Sequence, residues 1–177
     1  MVTNFRPYAN ALFEIAQEQS REQEYLDQLS ELETVWNSNP DFAMALSHPK
    51  IEKKKKKEWI AEIFADQVDP LILNFLYVMN DHGLAAFVPQ IADEYQTLYR
   101  ENEGIEEVFV QSAVELSQTQ IDALSKMLKE KLKKKIELNV EVDPDLIAGL
   151  KVRAKDLVLD NTVKSRLDSL KEKLIEK

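Results

Sequence analysis

The chain has 177 residues, 31% charged and 44% hydrophobic, which is enough for one or two domains with real cores. It has no cysteine, which excludes disulfides and zinc–thiolate centres, and its three glycines, Gly83, Gly104 and Gly149, cannot build a phosphate-cradling loop. The net charge of −9 is uneven: residues 1–104 hold 9 Lys and Arg against 18 Asp and Glu, whereas residues 105–177 hold 14 of each, so the first part is unsuited to nucleic acid.

Residues 4–19 read as a helix, with Pro7 tolerable only in its first turn. Phe5, Ala9, Leu12 and Ala16 make one stripe, and Tyr8, Ala11 and Ile15 make a second beside it. A second helix, about 22–37, turns Tyr25, Leu29, Leu32 and Trp36 inward. Asn39-Pro40 breaks it, Pro40–Leu46 gives a short helix, and His48-Pro49 breaks the chain again. The lysine run Lys53–Lys57 opens a fourth helix ending near Ala65. Consecutive residues wrap around a helix, so five lysines cannot share one anionic surface, and a solvated turn is expected. Ile51, Trp59, Ile60, Ile63 and Phe64 would anchor this helix.

The fifth helix, 70–82, is framed by Asp69-Pro70 at its start and Gly83 at its end. It is apolar nearly all round: Leu71, Phe75 and Val78 on one face, Ile72, Leu76 and Met79 on a second, Leu73 and Tyr77 on a third. Such a helix is either the centre of a bundle or half core and half docking surface. Residues 84–103 give a sixth helix, with Phe87, Ile91, Tyr95 and Leu98 on one side, and Gly104 ends it. The expected architecture of residues 1–104 is a six-helix antiparallel bundle.

After Gly104 the period changes. Residues 107–114 read as a strand, Ser117 with Gln120 as a capping box opening a helix, and 136–142 as a strictly alternating strand. Ile121, Leu124, Leu128 and Leu132 line one face of that helix. A loop from Asp143-Pro144 to Gly149 precedes short strands at 150–154 and 157–159, turning at Lys155-Asp156. Asn161 or Thr162 would cap a last helix with Val163, Leu167, Leu170 and Leu174 inward. Residues 105–177 therefore form a small α+β domain, and the whole chain is α+β, mostly α.

No catalytic, metal or cofactor site is called for. His48 and His82 lie in different elements without ligand-spaced companions, the carboxylates follow helix-surface spacing, and no serine sits in a nucleophile elbow. No apolar run reaches the roughly 20 residues a spanning helix needs. The N-terminus lacks the layout of a secretory signal. A soluble protein is expected, without direct membrane insertion and reaching any membrane through partners.

Two stretches carry a resemblance. Arg6-Pro-Tyr-Ala-Asn-Ala-Leu-Phe-Glu-Ile-Ala16 resembles the opening RPYAxALFxxA of the delta subunit family of bacterial F-type ATP synthases, whose mitochondrial counterpart is the oligomycin-sensitivity-conferring protein. Residues 142–167, containing Asp143, Gly149, Val152-Arg153, Asp156, Asp160, Val163 and Arg166-Leu167, resemble that family's C-terminal signature D…GG…IRxGDxVIDGSVxxRLxxL. Ala148, Lys155 and Asn161 stand where the family pattern has glycine. Asn tolerates the left-handed region well, whereas Lys155 is a poorer turn residue.

The resemblance implies a non-catalytic stator component without a cofactor, held peripherally on the cytoplasmic face of the bacterial membrane. It implies that residues 1–104 grip the N-terminal helix of an alpha subunit between the first and fifth helices. It also implies that residues 105–177 hold the C-terminal ends of the b subunits, with Arg153, Asp156, Asp160 and Arg166 as contacts, so that the head does not turn with the rotor. The spare faces found above, Tyr8, Ala11 and Ile15 with Leu71, Phe75 and Val78, fall on those two helices and suit helix-in-groove docking. The alternative is a generic helical adaptor for another amphipathic helix.

Overall fold

A computed structural model describes residues 4–155, 157–160 and 162–163. The chain divides into two compact units, one ending at Tyr99 and the other beginning at Arg100. The fold is α+β and mostly helical, with seven α-helices and one four-stranded sheet among the described residues.

The first unit is built from α1 (Arg6–Glu18), α2 (Glu22–Ser38), α3 (Pro40–Ser47), α4 (Lys53–Phe64), α5 (Pro70–Asp81) and α6 (Val88–Glu103), whose end from Arg100 on falls in the second unit, with a 3-10 turn at Ala85–Phe87 before α6. Its core follows from helical spacing. Ala9, Leu12, Phe13 and Ala16 of α1 recur at i, i+3, i+4 and i+7, and Tyr25, Leu29, Leu32 and Trp36 of α2 keep a similar beat. Ile60 and Phe64 of α4, Ile72, Leu76 and Met79 of α5, and Val88, Ile91, Ala92 and Tyr95 of α6 complete one cluster. The polar tips buried with it are satisfied: the Trp36 indole donates to the Ala85 carbonyl at 2.9 Å, and the Tyr95 hydroxyl to the Glu22 carbonyl at 3.1 Å.

Three expectations for this unit are corrected. Phe13 joins the core although only its neighbours Leu12 and Ala16 were assigned there. The sixth helix begins at Val88, not at 84, because Pro89 has no N–H to give and fits only a first turn. Phe87 then lies in the 3-10 turn, 40% exposed, and stacks on Phe5 at 5.3 Å between ring centroids instead of entering the core. The lysine run is not merely solvated either. Lys56 is buried, Lys53 donates to the Asp81 carbonyl at 2.6 Å, and Lys57 bonds the Asp81 carboxylate at 2.6 Å. The run so brings positive charge to the carbonyl end of α5, where the helix dipole favours it.

The second unit runs β1 (Ile105–Ser112), α7 (Gln118–Leu132), β2 (Lys135–Val142), a 3-10 turn (Pro144–Leu146), β3 (Leu150–Ala154) and β4 (Leu157–Asp160). Strand order is β2-β1-β3-β4. β1 and β2 are parallel in register Ile105↔Lys135 to Ser112↔Val142, so they need a crossover, which α7 supplies. The β1–β3 and β3–β4 pairs are antiparallel, through Val110↔Val152 and Val152↔Leu159. Val108, Val110, Leu128, Val152 and Ala154 are the buried centre between sheet and α7. The Gln120 side chain accepts the Ser117 backbone N–H at 2.9 Å, the expected reach-back at the start of α7.

The first strand lies two residues earlier than the 107–114 expected, because its parallel register with β2 starts at Ile105. The clean alternation expected of β2 is blunted. Glu137 and Asn139 are only half exposed, since Arg100 Nε bonds Glu137 at 2.7 Å and Asn139 donates to Glu107. Lys155 is not among the described non-glycine residues with positive φ, which are Ser20, Lys133 and Ile147, so this turn does not need the family's glycine. Asp156, Asn161, Arg166 and the expected final helix through Leu167, Leu170 and Leu174 lie outside the described residues.

Candidate protein-binding faces

The side chains with binding potential in the first unit depend on how α5 is fixed. At its start, the Asp69 carboxylate accepts the Leu71 N–H at 2.8 Å, Arg21 Nη1 at 2.8 Å and the Tyr25 hydroxyl at 3.4 Å. Its own N–H donates to Gln28 Oε1 at 2.8 Å, and Arg21 is in turn paired with Glu24. Partial burial works to raise the pKa of Asp69. The Leu71 N–H bond and the Arg21 guanidinium outweigh it and hold the carboxyl below the usual range. At its end, Gly83 takes φ +72°, and the Leu84 and Gly83 N–H groups bond the Met79 and Asn80 carbonyls at 2.7 and 3.0 Å. This is the Schellman closure that a left-handed glycine permits.

So fixed, α5 gives Ile72, Leu76 and Met79 to the core, and its two flanks diverge. Tyr77, on one flank, lies under Lys57 of α4, 5.8 Å from ring centroid to ammonium. On the other flank Leu71 and Phe75 are half-buried against the core and Val78 is 38% exposed. His82 continues that flank one turn on and meets the Tyr8 ring of α1 edge-on, 5.9 Å between centroids. Tyr8 is half-buried, Ala11 exposed, and Ile15 38% exposed. The structure therefore brings Tyr8 to the end of the Leu71–Phe75–Val78 flank through His82. Both stripes have a seated base and an open rim.

In the second unit Arg153 is exposed on β3, opposite Phe109 of β1 and Val158 of β4. Side chains alternate along strands, so these three share the sheet face away from Val152, Ala154 and α7. The Asp160 carboxylate is engaged locally: it accepts the Thr162 hydroxyl at 2.7 Å and N–H at 3.0 Å, and these bonds, the hydroxyl first, hold its pKa low. Sequence reading missed Phe109 and Val158, which are 49% and 64% exposed. The signal was available, because an aromatic between Val108 and Val110 must face the opposite side of the sheet.

Among the described residues no group of three or more His, Asp or Glu could hold a metal ion, and no helix is long and apolar enough to cross a membrane. A helical unit with two half-seated apolar stripes, joined to an α+β unit with exposed apolar side chains, defines a protein-binding component.

The comparisons with known proteins place that class. The family model described as ATP synthase delta (OSCP) subunit matches residues 5–174. ATP synthase subunit delta of Clostridium botulinum strain Loch Maree is 34% identical over 172 residues, 97% of this chain and 96% of the relative. That of Clostridium perfringens strain SM101 is 33% identical over the same shares. A chain of the Toxoplasma gondii mitochondrial ATP synthase hexamer has the same fold, with a TM-score of 0.74 at 19% identity, covering 98% of both chains. The chain belongs to the ATP synthase delta (OSCP) subunit family. Its function is that of a non-catalytic ATP synthase subunit of the peripheral-stalk type.

Proposed function

We propose that this subunit ties the catalytic head of an F-type ATP synthase to its membrane-anchored stalk on the cytoplasmic face of the bacterial membrane. The first unit works as an antiparallel six-helix bundle, residues 1–104, that takes the amphipathic N-terminal helix of an alpha subunit between α1 and α5. The second, residues 105–177, holds the C-terminal ends of the b subunits, with Arg153, Asp156, Asp160 and Arg166 within the contacting region.

The observation that carries this reading is the pair of flanks meeting at Tyr8 and His82. Tyr8, Leu71 and Phe75 are seated on the core, while Ala11, Ile15 and Val78 are open beside them. A partner helix laid along these stripes replaces water on apolar surface without disturbing the core rows of either helix. The test is titration of the full chain with a synthetic alpha-subunit N-terminal peptide. Ala11→Asp and Val78→Asp should each weaken binding ten-fold or more, about 1.4 kcal/mol, with the melting temperature nearly unchanged. Strong destabilisation with undiminished affinity in the folded fraction would return these faces to the core. Failure to co-purify with alpha and b subunits would favour the generic adaptor.

A further inference from the structure

The sheet of the second unit has unlike ends. At the end where β1 and β2 finish and β3 begins, Val114, Val142, Ile147 and Val163 are 66%, 47%, 69% and 37% exposed. Backbone bonds gather their segments: the Asp143 N–H to the Ser112 carbonyl at 2.8 Å, Ala113 to Gly149 at 3.4 Å, and Val163 to Ala148 at 2.9 Å. Ile147 is held at φ +63°, ψ −57°, with the Ala148 N–H bonded back to the Leu146 carbonyl at 2.6 Å. A β-branched residue in this tight turn is strained, and the turn leaves the apolar side chain in water. The charges around it are one-sided: Glu115, Glu141, Asp143, Asp145 and Asp160 against Lys151. At the opposite end, where α7 finishes and β2 begins, Lys129, Lys131, Lys133, Lys134 and Lys135 collect.

We propose that the acidic, aliphatic end formed by Val114, Val142, Ile147 and Val163 is the docking point for the stalk, and that it takes an amphipathic helical end whose apolar side chains are flanked by lysine or arginine. Apolar side chains supply the contact. The carboxylate rim selects basic partners and rejects acidic ones, as complementary charge does at an interface. The proposal rests on the reading that the second unit binds the b subunits, and it names the surface and chemistry they must match.

The test uses the full chain and a soluble C-terminal fragment of the host's b subunit, by titration calorimetry. Ile147→Glu and Val114→Glu should weaken binding ten-fold or more and leave alpha-peptide binding unchanged. Ile147→Gly should weaken it too while raising the melting temperature, because the strain is relieved as the contact is lost. Raising salt from about 50 mM to about 500 mM should weaken the wild-type complex, since screening then acts within a few ångströms. Wild-type binding that the two Glu variants leave intact, or that salt does not touch, overturns the proposal while the reading beneath it stands. Absence of wild-type binding removes both. A melting temperature that falls in Ile147→Glu would mean that the cluster is packed within this same chain. A concentration-dependent dimer in sedimentation, abolished by Ile147→Glu, would assign it to a second copy; each of these also overturns the proposal.

Discussion

Asp69 does more than cap a helix. Its carboxylate joins the first turn of α5 to Arg21 and Tyr25 of the α2 start, so the placement of the Leu71–Phe75–Val78 flank hangs on one ionised group. Because the folded pKa is depressed, the stability it contributes is fully present above the unfolded value of about 3.9. That stability is lost as pH falls through the lower, folded value. Asp69→Asn should therefore flatten the acid limb of melting temperature against pH below about 4, where the wild type falls away. Asp69→Ala should cost about 1–2 kcal/mol at neutral pH, read by urea denaturation. Unchanged curves for both would deny the carboxylate this role. The cap itself was legible from Asp69-Pro70. Arg21 as its partner was not, because 48 positions separate the two and no local pattern relates them.

At the scale of elements, one rule served well and another ran out. Helical spacing separated the open stripe of α1 from its core stripe, yet it left Phe13 unassigned because a residue at the outer edge of the core stripe, on the side away from the open one, is placed by its neighbours, here Tyr95 at 5.2 Å. On α5, spacing gave three apolar faces; their surroundings differ, with Ile72, Leu76 and Met79 in the core, Tyr77 under Lys57 of α4, and Val78 exposed. The lysine run shows the same limit. Its composition suggested solvent, whereas only tertiary contact tells Lys53 and Lys57, tied to Asp81, from Lys54, which is simply exposed. Lys54→Gln should stay within about 0.5 kcal/mol of wild type in a thermal melt. Lys56→Met should be neutral or stabilising, since the buried part of a lysine is its hydrocarbon stem. A large loss in Lys56→Met would mean that its ammonium carries the contact. Truncating the core row is a different matter, and Leu76→Ala should cost about 2–5 kcal/mol.

For the whole molecule, the change of charge and period at Gly104 marked two parts, and compactness divides the chain between Tyr99 and Arg100, five residues earlier on the last turns of α6. The offset has a physical origin. Arg100 and Glu103 pair with Glu137 and Lys135 of β2, so these last residues of α6 belong with the second unit. A fragment of residues 1–104 should fold alone and melt cooperatively in circular dichroism. Its Arg100 and Glu103 pairs are lost at a cost of only about 1 kcal/mol or less each. The same fragment should keep alpha-peptide binding and lose binding to b. A disordered spectrum, or retained b binding, would break the proposed division of labour.

The strand order β2-β1-β3-β4 also sets a sequence of events in time. β1 can find neither partner locally. It must wait for β2, about thirty residues on across α7, and for β3, about forty residues on, before any of its ladder bonds can form. The helices of the first unit each close their own backbone bonds locally, and they leave the ribosome first. Refolding followed by stopped-flow should thus resolve a fast helical phase and a slower one that Val110→Ala retards. During synthesis, the half proposed to meet the catalytic head can therefore be complete while the half proposed to meet the stalk is still a loose chain.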